Sequence, residues 1–230
     1  MSTVKSSGTN THHYAHHFES AEHEYLTSKQ GVWLFLCTEI LMFGGLFVAY
    51  ALYHRMYPET FHIGSKFTDW RMGGTNTIVL LTSSLTMALG IHYTQTAKNG
   101  KAWVMLLITV LCGAMFMGIK YFEYEHKFHL GLKPGSWYTA NAEEIAHEIG
   151  VTPQEIPANL PLYFSFYFMM TGLHGFHVLI GMGLIIWCMF RLRRGDFNPE
   201  YYTAVEGVGL FWHLIDLIWI YLFPLLYLVS

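Results

Sequence analysis

Apolar residues fall along this chain in five long blocks separated by polar stretches, not on amphipathic stripes. The blocks run 31–53, 75–93, 102–122, 160–190 and 207–229. As a helix rising about 1.5 Å per residue, each is long enough to cross about 30 Å of hydrocarbon. The second is diluted by Thr82, Ser83, Ser84 and Thr86, and the fourth has length to spare for tilting or for starting outside the hydrocarbon. The pattern predicts an all-α fold: a polytopic membrane helical bundle of five transmembrane helices. A polar, His-rich tail over 1–30 precedes the membrane domain 31–230, whose longest connection is 123–159. Trp33, Trp103, Trp187 and Tyr227 lie near span ends, as interfacial aromatics do. Pro58, Pro134, Pro153, Pro157 and Pro199 fall in connections. Pro161 opens the fourth helix, where a missing N–H is tolerated, and Pro224 is expected to kink the end of the fifth.

Composition agrees with a membrane protein. Of the 230 residues 53% are hydrophobic and only 13% charged, against about 25% charged in soluble domains. A net charge of −3, with no basic cluster interleaved with aromatics, argues against a nucleic-acid partner. Cys37, Cys112 and Cys188 lie singly inside apolar blocks and read as small core residues. No short apolar segment followed by a cleavage site opens the chain, so the first span is expected to direct insertion itself.

An odd number of spans puts the termini on opposite sides. Lys and Arg divide almost evenly between the two sides, but Arg191, Arg193 and Arg194 directly follow a span. The positive-inside rule weights such positions and favours an inside N-terminus and an outside C-terminus. The connection 123–159 then faces outward. It carries Glu143, Glu144, Glu148 and Glu155, with a short helix expected around Ala142 to Ile149. It reads as a solvated surface or as a docking surface for a neighbour.

Against this apolar background the polar residues carry the chemistry. Glu39 sits near the middle of the first block, where an ionised side chain is costly and a functional role is the default reading. It has no basic partner in its own helix, so it is protonated, paired from another helix, or hydrated. His174 and His177 share a helix face. A haem held between helices needs ligands facing each other, and copper or zinc needs third and fourth donors. The pair therefore reads as interhelical hydrogen bonding and not as a metal site. Gly172, Gly175, Gly181 and Gly183 on the same helix suit close packing. In the last block Trp212, Asp216 and Trp219 share a face, and His213 and Asp216, three apart, are placed to pair as a packing lock or as part of a proton route. In the tail, His12/His16 and His13/His17 have metal-binding spacing if helical, but the surrounding Ser, Thr and Gly argue against a helix.

Several stretches resemble one family. FLCTEILMFGGLFVAY (Phe35 to Tyr50) resembles the Glu-bearing helix of subunit III of the haem-copper oxidases, and TNTIVLLTSSLTMALGIHY resembles the next helix. MGIKYFEYEHKF (Met117 to Phe128) is similar to the third, with Glu123 at its acidic position. FMMTGLHGFHVLIGMG (Phe168 to Gly183) is the most specific match, and FWHLIDLIWIYLFPL (Phe211 to Leu225) matches the terminal helix. The resemblance runs in order from about Gly31 to the end and fits the short bacterial form that lacks the first two of seven helices.

The resemblance implies a non-catalytic accessory subunit of a proton-pumping terminal oxidase of aerobic respiration, in the bacterial cytoplasmic (inner) membrane. It implies no haem or copper in this chain, those groups belonging to partner subunits I and II. Glu39 would lie near the mouth of a proton pathway in catalytic subunit I, maintaining proton uptake and protecting that subunit from turnover inactivation. Phospholipid would be bound, with Arg191 at a head group. Glu123, His174, His177, Trp212, His213 and Asp216 would serve intramembrane polar packing. Absence of the first two helices removes part of the family's lipid cleft. Other readings are subunit III of a quinol oxidase, a similar partner of nitric oxide reductase, and a stand-alone transporter. The transporter reading lacks an inverted repeat or a pair of broken helices. A supercomplex would add a cytochrome c or quinol-oxidising complex as partner.

Overall fold

The computed structural model describes residues 21–197 and 202–228. They form helices α1 (Ala21–Met56), α2 (Pro58–Ser65), α3 (Trp70–Gln95), α4 (Asn99–His129), α5 (Ala142–Ile149), α6 (Leu160–Arg194) and α7 (Thr203–Tyr227), with single 3-10 turns at Gly135–Trp137 and Pro153–Glu155. No strand occurs among the described residues. Five helices, α1, α3, α4, α6 and α7, are long and apolar enough to cross a membrane, in agreement with the five apolar blocks. Most of the His-rich tail, including His12, His13, His16 and His17, lies outside the described residues, as does Pro199.

Local chemistry sets the helix ends. Pro58 and Pro161 occupy first turns, where no intrahelical N–H bond is needed. Asp69 caps α3 by accepting from the Arg71 amide at 2.8 Å, and Asn141 caps α5 by accepting from the Glu143 amide at 3.2 Å. Gly150 and Gly195 end α5 and α6 at φ +69° and +79°, a conformation that costs other residues a Cβ clash. Pro224 lies inside α7, which continues to Tyr227.

Helices α1 and α4 extend furthest beyond their apolar blocks. The described part of α1 covers 21–30, a polar stretch that is rich in helix-favouring Ala, Glu, Leu, Lys and Gln. α4 continues to His129, so that Glu123 lies within a helix and not at the start of the connection. Its charges do not end the span because Lys120, Glu123 and Lys127 share one face, where Glu123 pairs with both lysines.

Helices α3, α4, α6 and α7 form a four-helix core, with α3 and α4 an antiparallel hairpin. Close approach depends on small residues. A Cβ at Gly113 or Gly181 would stand 2.9 Å and 2.8 Å from the Trp212 ring, so α4 and α6 close on the α7 indole only because both positions are glycine. Side-chain hydrogen bonds tie the helices: Thr86 to Thr109 at 2.8 Å, Tyr124 to Thr171 at 2.6 Å, and the Trp212 and Trp219 N–H groups to Ser83 and Thr77, each at 3.0 Å. Such bonds contribute about 0.6–2 kcal/mol each within a bilayer. Helix α1 lies outside this core, against α7 and α6. Its outer face leaves Leu34, Leu41 and Val48 more than two-thirds exposed, an apolar surface fit for hydrocarbon or another subunit.

Candidate functional site

Glu39 meets its partner across the α1–α6 seam. His177 Nε2 lies 3.0 Å from Glu39 Oε2, off the direction of an ideal hydrogen bond, and the two side chains are 10% and 14% exposed. His177 Nδ1 is 2.7 Å from the Leu173 carbonyl, which can only accept, so Nδ1 carries a hydrogen. If the ring is neutral, Nε2 is bare. If the ring is an imidazolium, Glu39 is a carboxylate. Either way the carboxyl and the imidazole face each other at 3.0 Å, in a contact that falls short of a hydrogen bond. Phe43 and Phe211 pack on the imidazole, with centroids at 5.4 and 6.2 Å.

Glu123 lies in a different setting, buried where α4, α6 and α7 converge. Lys127 donates to its Oε1 at 3.1 Å and Lys120 to its Oε2 at 2.9 Å. The Tyr167 and Tyr227 hydroxyls donate to Oε1, each at 2.7 Å. A carboxylate has about four lone-pair sites, so this one is saturated. The ammonium of Lys120 also sits 5.0 Å from the Trp219 ring centre and that of Lys127 4.7 Å from the Tyr167 ring centre, favourable cation–π distances. Sequence reasoning missed these four partners. The available signal was the spacing of Lys120, Glu123 and Lys127 on one helical face.

The remaining candidates do not converge on one site. His174 is fully buried between Phe116 and Trp219, with centroids at 5.4 and 5.3 Å, and neither ring nitrogen has a hydrogen-bond partner among the described residues. His213 Nδ1 lies 2.7 Å from Ser84 Oγ on α3 and does not pair directly with Asp216. Buried Asp216 also faces Ser84, though neither carboxylate oxygen has a full hydrogen bond among the described residues. Trp212 and Trp219 hold α7 to α3 through their indole N–H groups. At the far end of α6 the Arg191 guanidinium bonds Asp196 at 3.1 Å and stacks on Trp187 and Phe197.

His174 is enclosed by rings, and among the described residues no three His, Cys, Asp or Glu side chains group to hold an ion. The geometry offers a membrane bundle with a carboxyl–imidazole contact at its edge and one saturated charge cluster in its core.

Known proteins agree with the fold and the motifs. The family model described as cytochrome c oxidase subunit III matches residues 154–230. Cytochrome c oxidase subunit 3 of Synechocystis sp. is 32% identical over 200 residues, covering 86% of this chain and 74% of that protein. The same subunit of Thermostichus vulcanus is 32% identical over 207 residues, covering 87% and 86%. The probable quinol oxidase subunit 3 of Staphylococcus haemolyticus is 27% identical over 212 residues, covering 92% and 94%. With five helices able to span a membrane and relatives of this identity along most of its length, the chain belongs to the cytochrome c oxidase subunit III family, as a multi-pass membrane subunit of a haem-copper oxidase.

Proposed function

We propose that this chain supports proton uptake by the catalytic subunit of its oxidase, with the Glu39–His177 pair as the working group. One observation carries the reading: the Glu39 carboxyl and the His177 imidazole face each other at 3.0 Å, at the seam of the least enclosed helix. His174 lies one turn from His177 on α6 and is the pair's basic neighbour, and we propose that the pair passes a proton. A group of this kind beside a proton pathway delays the moment when the pathway runs dry. Haem and copper then belong to partner subunits I and II, and oxygen reduction to water is a property of the complex. Arg191 is proposed to meet a phospholipid head group, and the membrane is proposed to be the bacterial cytoplasmic one, N-terminus inside.

The test uses the whole purified oxidase carrying Glu39→Gln. The complex should assemble normally, then lose activity within several-fold fewer turnovers and show slower proton uptake at high pH. Unchanged turnover lifetime together with an unchanged pH profile would remove the role.

A second reading has its own support: the relatives named probable quinol oxidase subunit 3 match this chain over 94–96% of their length, against 74% for the Synechocystis protein. Assignment to a quinol oxidase changes the electron donor and leaves the proton role as it stands. A reduced-minus-oxidised spectrum of the complex and its activity with quinol against cytochrome c decide between the two.

A further inference from the structure

A groove of about 560 Å³ runs between α4 and α6, away from the α1 seam. This volume lies within the roughly 300–1,000 Å³ of small-molecule sites. Its walls change character along the membrane normal. Met117, Gly175, Phe176 and Leu179 line it near the middle of the two helices, and Phe128, His129 and Lys133 line it where α4 ends. From Met117 to His129 the helix rises about 18 Å, at least the hydrocarbon depth of one leaflet of a bilayer about 30 Å thick. A channel one leaflet deep, apolar at its inner end, passing Lys120, Tyr124, Glu125 and Thr171 and reaching His129 and Lys133 at its outer end, suits one phospholipid chain and its head group.

The charges select the head group. Lys133 has no ion-pair or hydrogen-bond partner for its ammonium among the described residues. Lys120 reaches the groove from the Glu123 cluster, which holds two cations for one carboxylate. The opposing charge in the groove is Glu125, which lies 4.0 Å from His129. Cations remain in excess with His129 neutral. Beside Lys133 a shallower depression continues to Pro134 and the exposed Trp137, and an indole at that level suits the head-group region. Basic pockets between membrane helices bind anionic head groups in this manner.

We infer that the α4–α6 groove binds one anionic phospholipid of the phosphatidylglycerol type, its acyl chain along Met117, Phe176 and Leu179 and its phosphate at Lys133. This site lies at the opposite end of α6 from Arg191, since the Gly135 amide beside Lys133 donates to Ser165 Oγ at 3.0 Å, near the start of that helix. It is independent of the proton-uptake role of Glu39, and either can fail without the other.

The test is native mass spectrometry of the intact oxidase, released from nanodiscs of equal phosphatidylglycerol and phosphatidylethanolamine. Lys133→Glu reverses the charge, and Gly175→Leu fills the groove, where the nearest contact to an added Cβ is Met117 at an ordinary 3.7 Å. Each variant should retain one phosphatidylglycerol fewer than the parent. An unchanged phosphatidylglycerol count in Lys133→Glu, or equal retention of phosphatidylethanolamine by the parent, overturns the proposal. So does efficient disulfide capture of Tyr121→Cys by a cysteine of a neighbouring subunit, which would make the groove a protein interface. If Gly175→Leu loses the subunit, the Lys133→Glu count decides alone.

Discussion

Glu39 and Glu123 are both carboxylates in apolar helices, and their surroundings are opposite. Glu123 is buried and receives hydrogen bonds from two lysines and two tyrosines on three helices. Glu39 faces one histidine across a seam on an outlying helix, in a contact off the hydrogen-bond direction. An ion in hydrocarbon is tolerated only where its desolvation is offset by partners. Where partners saturate it, the charge is immobile and becomes part of the packing. Where one titratable partner meets it, the charge state stays adjustable. The bundle therefore sets the same side chain in two environments, a tie between helices in the core and a single imidazole contact at the edge, where the proton role is proposed.

The most severe way to break this contrast is to remove the core carboxylate. Glu123→Gln leaves Lys120 and Lys127 buried around a neutral amide. Breaking a buried pair in this way costs about 3–5 kcal/mol. The oxidase should lose this subunit in mild detergent or unfold it well below the parent melting temperature. Exchanging the group together, Lys120→Met, Glu123→Leu and Lys127→Met, should recover much of that loss, because no charge is left without its partner. If Glu123→Gln melts with the parent, the cluster is not a structural tie and the contrast fails.

A milder experiment sharpens the comparison without altering the sequence. Hydrophobic carbodiimides react with protonated carboxyl groups that they reach from the bilayer. Glu39 faces His177 at a partly open seam and should be modified. Glu123, ionised between two lysines and enclosed, should not be. Peptide mapping after brief treatment of the complex should place at least a ten-fold excess of label on Glu39. Comparable labelling of Glu123 would mean that the cluster opens or holds its proton.

The five helices were legible because membrane spans are written as apolar blocks, each read without reference to the others. Glu39 was legible for the same reason, as an exception inside a block. Its partner was not. His177 could be assigned to a helix face, but which helix meets that face is a property of the assembled bundle. Glu123 drew attention through the family resemblance, while Lys120 and Lys127 were counted as charges beyond a span end. Their spacing on one face was the missed cue, and Tyr167 and Tyr227 gave no local cue at all. His213 and Asp216 illustrate the reverse error. Neighbours at three residues can pair, yet the approach of α3 sets Ser84 against both, and it is Ser84 that bonds His213.

Asp216 supplies the smallest expected effect and the finest test of the comparison. It is buried as deeply as Glu123, at 3% against 5% exposure, but neither carboxylate oxygen has a hydrogen-bond partner among the described residues. Burial alone therefore does not make a carboxylate a structural tie; the partners do. Asp216→Asn removes no bond seen here and conserves shape, so it should change stability by less than about 1 kcal/mol. Subunit retention and melting of the whole oxidase provide the measurement. A loss as large as that expected for Glu123→Gln would mean that the assembled complex gives Asp216 a partner, and would move it from the spectator class to the structural one.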